Sequence, residues 1–421
     1  MVTVTVTVTV TGGTMARHRP NVGAPLAYPI GIRRKTVVGI FSIALAVSAA
    51  AQVVSVFGQG KAPQQILSIF PKNARANSLL SEIAMTKIAD NPGIEATVEE
   101  AASTSLSSQA LNPVAMRQLA LVSLLRNDER SATERFAFAE RMSKRDIGTH
   151  LYQHEIAFRR GQFGEAIEQL DRGARSSQKA RPILLQRGVA TLDNEEWRSL
   201  MASKLREAPN WAADFWAMVL ADESKVSESA ALRSKLPASG GNVVSDKVTR
   251  AILRNLLRDN LVTETVSLYY ALEGSERVQS AMQGNTSFVS GQLPGLGWES
   301  TADVDHITKF EDDGNRMSYA VLPGAEQALL ARRLVALNPG NYRASIDVIK
   351  ATARPEMTLI IRCGESDIEL AKLSLGTTGT KQADFRIRAD CPIQWMRLVS
   401  APNLSQELQS GSISKIIIET Q

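Results

Sequence analysis

His150 and His154 come nearest to a chemical site by spacing alone. Two imidazoles four residues apart lie on one face of a helix, the geometry of a pair of metal ligands. No third His or carboxylate stands in a recognisable motif relation to them, so the pair reads as part of a solvated helix face. The other histidines are His18, in the N-terminal tail, and His306. The two cysteines, Cys363 and Cys391, are too few for a zinc cage and have no His beside them. In an exported domain they read as one disulfide; the alternative is two buried thiols that never meet. Asp303, Asp305, Glu311, Asp312 and Asp313 are oxygen-rich, but their spacing is not that of a calcium loop, so a solvated acidic edge is expected. G-x-S-x-G, phosphate-loop, H-E-x-x-H and dinucleotide patterns are all missing from the sequence. A glycosidase-type carboxylate pair leaves no local signature. We therefore expect no enzyme, and assign no catalytic residue, metal or cofactor.

The 421 residues leave room for two or three domains. Hydrophobic content of 44% and charged content of 22% are those of an ordinary folded protein. The net charge of +5 comes partly from a leader with no acid before Glu82. With only 5% aromatic residues, base-stacking platforms are not expected, and nucleic acid is excluded as a partner.

Thr36 to Phe57, TVVGIFSIALAVSAAAQVVSVF, carries no charge. As a helix it would be about 33 Å long, enough for a hydrocarbon core of about 30 Å. Arg33, Arg34 and Lys35 precede it, so the positive-inside rule places the N-terminus in the cytoplasm and the bulk outside. We read residues 36–57 as a retained signal anchor of the inner (plasma) membrane. The competing reading is a signal peptide cleaved after Ala51, but the apolar run continues past that point through Val56 and Phe57. Residues 1–35 form a basic tail expected to be disordered. It begins with a Val-Thr dipeptide repeat of low complexity, and Met15 is a plausible true start. Residues 58–72, with Gly58, Gly60, Pro63 and Pro71, read as a linker.

From Asn73 to Ser275 the apolar residues follow helical period. Gly93, Asn127, Gly161 and Glu195 recur every 34 residues and are read as turns between paired helices. Gly and Asn tolerate a left-handed helix end. Ala132 and Ala166, again 34 apart, offer small side chains where second helices approach their neighbours. Trp197, Trp211 and Trp216 at helical spacing are expected in the core. The run Ala157-Phe-Arg-Arg-Gly161-Gln-Phe163-Gly-Glu-Ala166-Ile-Glu-Gln-Leu170-Asp-Arg-Gly173 resembles a tetratricopeptide repeat, and more degenerate units extend the resemblance over about Leu79 to Trp216. The resemblance implies an α-solenoid that binds proteins. Each helix pair cannot bury its apolar face alone, so stacked pairs share a core and expose a concave surface.

Beyond about Gly284 short alternating segments and Gly- and Pro-rich turns predict nine strands in an antiparallel sandwich reaching Gln421. In outline the segment Leu337-Asn-Pro-Gly-Asn-Tyr342 entering a strand, with Cys363 ending one strand, Cys391 beginning another, and Trp395, resembles the jelly-roll sandwiches of carbohydrate-binding modules. That resemblance implies a glycan ligand, with Trp298 as the candidate exposed ring and Tyr342 and Trp395 in the core. The expected molecule is thus α+β and multidomain: transmembrane helix, solenoid (73–275) and β-sandwich (284–421). Its expected role is that of a non-catalytic cell-envelope scaffold holding envelope proteins, with surface-polysaccharide assembly or export as the setting. The alternative is an extracytoplasmic glycan-binding protein.

Overall fold

The computed structural model describes residues 63–421, apart from 89–90, 239–243, 284–286, 289–292, 302, 312–313, 352–356 and 367. Among the described residues no helix is long and apolar enough to cross a membrane; Thr36–Phe57 lies outside them. The chain divides into two compact units at Gln109/Ala110.

The first unit contains α1 (Pro63–Ile69), α2 (Ala74–Thr86) and α3 (Glu95–Ser108). Helices α2 and α3 meet through small residues, Ala76, Ser81 and Ala84 facing Val98, Ala101 and Ala102. The Ser78 and Ser105 hydroxyls are 2.8 Å apart, and Ser105 donates to the Ala74 carbonyl at 2.7 Å. Gly93 lies in a 3-10 turn, Pro92–Ile94, and its N–H is capped by the Asn91 side chain at 3.2 Å.

The second unit opens with five helix pairs: α4 (Pro113–Leu125) and α5 (Glu129–Met142), α6 (Ile147–Arg159) and α7 (Phe163–Ser176), α8 (Arg181–Ala190) and α9 (Glu195–Arg206), α10 (Ala212–Ala221) and α11 (Val226–Ser234), α12 (Asp246–Arg258) and α13 (Val262–Glu273). The starts are written into the sequence. Asn112, Asp128, Asp146, Asn194 and Ser245 each accept a hydrogen bond from a first-turn N–H that has no helical partner. Asn127 (φ 58°) and Gly161 (φ 69°) turn the first two pairs through left-handed backbone, as their spacing predicts, and Asn260 (φ 56°) does the same in the last. Glu195 is a correction. It begins α9 behind the cap Asn194, because α8 stops early at Ala190 and the chain turns before the 34-residue position.

Ala132 and Ala166 are fully buried. Gly173 fills the same need for closeness: a Cβ there would lie 2.6 Å from Leu184 Cδ1. The shared core includes Leu170, Leu184, Met201 and Phe215 together with Trp197, Trp211 and Trp216. Trp211 donates to the buried Asp171 carboxylate at 2.8 Å, tying α10 to α7. A further helix, α14 (Ser275–Gln283), follows the expected end of the array and buries Val278 and Met282 in the same core.

The sandwich has one five-stranded sheet, ordered β1-β4-β9-β6-β7, and a six-stranded one, ordered β11-β5-β10-β3-β2 with β8 also on β5. The strands are β1 (Glu299–Ser300), β2 (His306–Phe310), β3 (Arg316–Val321), β4 (Ala328–Val335), β5 (Gly340–Ala351), β6 (Met357–Cys363), β7 (Glu369–Ser374), β8 (Gly379–Ile387), β9 (Gln394–Ser400), β10 (Gln409–Ser414) and β11 (Ile417–Thr420). Pairing is antiparallel throughout. Alternate residues of the two sheets, among them Leu359, Ile361, Met396 and Leu398 on one and Ala344, Ile346 and Ile413 on the other, fill the interior.

Array and sandwich share a core within this unit. Leu334 and Trp395, partners in the β4–β9 register, point away from the sandwich interior into the helical cluster. The Trp395 N–H donates to the Asn260 side chain at 3.1 Å. The main chain joins in: Ala336 N–H donates to Met282 O at 3.2 Å, and Gly364 lies so close to α13 that a Cβ there would stand 3.1 Å from Val262 Cγ1.

Cys363 and Cys391 form the expected disulfide, with Cα atoms 5.5 Å apart and both residues buried. It closes 28 residues of chain, which in the loop-entropy account is worth about 3–4 kcal/mol. The double substitution Cys363→Ser, Cys391→Ser should therefore lower unfolding free energy by about that amount, measured by denaturant titration under oxidising conditions. Gly161→Ala meets no atom within 4 Å, so its cost is purely conformational. A loss of about 1 kcal/mol is expected in the same titration.

Candidate protein-binding groove

The site is built on α6. Asp146 caps its first turn by accepting from Thr149 N–H at 3.2 Å, and pairs with Arg117 of α4 at 2.9 Å. Both side chains of that ion pair are largely buried, and Gly148 leaves the space the guanidinium occupies. Helix α6 is thereby fixed against α4.

His150 and His154 lie on the inner face of this helix, which corrects the expectation of a solvated pair. His150 is fully buried, with Nδ1 2.8 Å from Gln169 Oε1 and Nε2 3.1 Å from Lys144 O. His154 Nδ1 lies 2.8 Å from the Ala166 carbonyl, and its ring packs edge-on against Trp197. Burial, the largest influence, holds the His154 imidazole below its ordinary 6.5, against the opposing effect of the Ala166 carbonyl. Among the described residues no group of three or more His, Cys, Asp or Glu is arranged to hold a metal ion.

With the histidines turned in, Tyr152, Glu155, Ile156 and Arg159 form the opposite stripe, at the i, i+3, i+4, i+7 spacing of one helix face. They line a surface cavity of about 340 Å³ with Leu124, Asn127, Glu129 and Arg160. A second cavity of about 210 Å³ adjoins it, sharing Ile156 and Arg160 and reaching Phe136, Gln162 and Glu165. The Tyr152 ring is 38% exposed and stacks on Phe136 at 6.0 Å. Charge rims the apolar floor: Arg160 pairs with Glu129 at 2.7 Å, and Glu155 with Arg159 at 2.8 Å and with Arg187. Burial pushes the Glu155 carboxyl up, but the bonds from Arg159 and Arg187 outweigh it and hold the group below its usual range. The floor can therefore take an apolar side chain, and the rim can exchange its pairs for polar backbone or charged groups of a bound segment.

Of the predicted site residues, Asn127 lines this groove, while Gly161, Ala132 and Ala166 shape the helix pairs around it. Gly93 belongs to the first unit. Trp298 is a correction: it is 1% exposed and packs on Phe288 at 5.1 Å inside the sandwich core. The other Trp and Tyr residues of the sandwich, Tyr319, Tyr342 and Trp395, are buried as well, so its described surface offers no such ring for stacking on a sugar. Tyr152, Ile156 and Arg159 escaped the sequence reading. Their signal was present in the half-turn offset between His150-His154-Ala157 and Tyr152-Ile156-Arg159.

No protein-family model matches the chain, and no curated protein matches it. Among solved structures it is similar to the carbohydrate-binding module TmCBM61, solved in complex with beta-1,4-galactotriose, at 14% identity and a TM-score of 0.22, covering 30% of this chain and 88% of that one. A likeness at that score carries no argument about function.

The buried His154 makes the array sensitive to acid. The unfolded chain takes up its proton first as pH falls, so the neutral ring's contribution is fully present above about pH 6.5 and is lost below it, toward the lower folded value. Unfolding midpoints should fall between pH 7 and pH 5, and His154→Phe should flatten that slope. An unchanged slope in the variant would show that His154 does not drive the acid loss.

Proposed function

We propose that this protein is a non-catalytic scaffold whose helical array, of tetratricopeptide-repeat type, holds an extended segment of another protein in the α6 groove. The observation that carries the reading is the exposed Tyr152–Ile156 floor between paired charges, on a helix whose inner face is locked by Asp146, His150 and His154. A rigid helix presenting a half-exposed aromatic beside an aliphatic is a typical anchor for a partner side chain. Residues 36–57 serve as the inner-membrane anchor in this reading, with the bulk of the chain on the extracytoplasmic side. The partner is then an envelope protein, and surface-polysaccharide assembly or export is the process served.

A photo-crosslinking residue in place of Tyr152, in the full chain expressed in its membrane, should give a discrete adduct with one envelope protein. Adding Ile156→Asp should remove that adduct without altering the thermal unfolding of the array. Absence of any adduct, or an adduct indifferent to Ile156→Asp, overturns the groove as the binding site.

A further inference from the structure

The two cavities beside α6 differ in the charges at their rims. At the larger one Glu155 is shared by Arg159 and Arg187, one carboxylate between two cations. Glu129 and Arg160 pair with each other where the cavities meet. The smaller cavity holds one further carboxylate, Glu165, from the first turn of α7. Its Oε1 accepts from Gln169 Nε2 at 2.8 Å, and among the described residues no Lys or Arg forms an ion pair with it. Gln153 of α6 lines the same cavity, and its side-chain oxygen is buried with no hydrogen-bond partner.

Charge is therefore uneven along the groove. The end at Tyr152 and Glu155 has a surplus cation, and the end at Phe136 and Glu165 a surplus anion. The walls of the smaller cavity include Phe136, Ile156 and Ala157. Lys and Arg lay their methylene stems along apolar walls of this kind and carry their charge out to a polar rim. At this rim the head meets an unneutralised carboxylate and an amide oxygen in want of a donor. Hydrogen bonds to an ionised carboxylate are roughly twice as strong as those between neutral groups. An apolar side chain in the same place would strip water from Glu165 and return nothing, and an acidic one would add a like charge.

We propose that the smaller cavity is a charge-selective subsite, which takes a long basic side chain, Lys or Arg, from the segment held in the groove. The proposal rests on the groove being the binding site. Tyr152 and Ile156 then supply apolar anchorage, and Glu165 decides which sequences are accepted. Because the surplus cation lies at the opposite end, the same charges also fix the direction in which the segment runs.

The test is selection of phage-displayed random dodecapeptides on the full chain in detergent. Enriched peptides should share a Lys or Arg at a fixed distance from an aromatic or aliphatic residue. In a synthetic copy, norleucine in place of that base should raise the Kd about tenfold, as loss of a charge-assisted hydrogen bond does. Glu165→Gln keeps an acceptor for Gln169 at an exposed position; it should weaken the basic peptide similarly and leave the norleucine peptide unchanged. Glu165→Lys should turn the selection toward Asp and Glu. Tyr152→Ala, outside the smaller cavity, tests the groove itself and should weaken every peptide bound there. Peptides that respond to Tyr152→Ala but share no base, or ignore Glu165→Gln, overturn the subsite and leave the groove standing. Peptides indifferent to Tyr152→Ala, or no enrichment at all, overturn both.

Discussion

The indole of Trp395 sits on a strand, yet its surroundings belong to the helices. Leu334 beside it and Asn260 at its N–H complete the contact, and removing so large a ring from water is worth about 5 kcal/mol. Much follows from this placement. The left-handed turn at Asn260 is held by the strand it touches. The five-stranded sheet cannot present a fully solvated outer face, and Arg332 and Arg397 are drawn together over a common ring. The disulfide at the ends of β6 and the β9 lead-in fixes the same edge of the sandwich, where Gly364 and Ile393 meet Val262. One aromatic residue thus fixes both the joint and the charge pattern beside it.

Helical period, caps and left-handed turns made the array legible, because these signals are local. Asn127 and Gly161 show the turn chemistry in the residues themselves. The failures have physical causes as well. Glu195 was misplaced because one short helix, α8, breaks the repeat length. His150 and His154 looked polar and hence exposed, but they sit on the stripe that ends at Ala157, where Gln169 and a backbone carbonyl satisfy their nitrogens. Residue type misled where periodicity would not have.

The sandwich was legible as strands but not as layers. The alternation of Arg316–Val321 is plain in the sequence, whereas β1 and β2 carry little local signal, since His306–Phe310 alternates with few strong apolar residues. Ile413 to Glu419 alternates like one strand, but Lys415–Ile416 separates two, β10 and β11. Alternation identified Trp395 as buried, but a period of two cannot say which side of a sheet has company. Trp298, in a Gly-rich segment without clear period, looked exposed for want of a partner. Phe288, ten residues earlier, supplies it, and nothing local announces the pairing.

Stacked helical repeats normally fray from their ends, because the last repeat has a neighbour on one side only, and such arrays require a polar cap there. Helix α14 gives this array a different ending. Its carbonyls at Ala281 and Met282 accept hydrogen bonds from Arg333 and Ala336, so the apolar end of the helical stack is roofed by a folded sheet. Melting cannot start at α13 without first peeling a whole sandwich away. The sandwich is therefore also the stopper of the helical array: a domain that adds a surface and, in the same contact, covers the end of the structure that carries it.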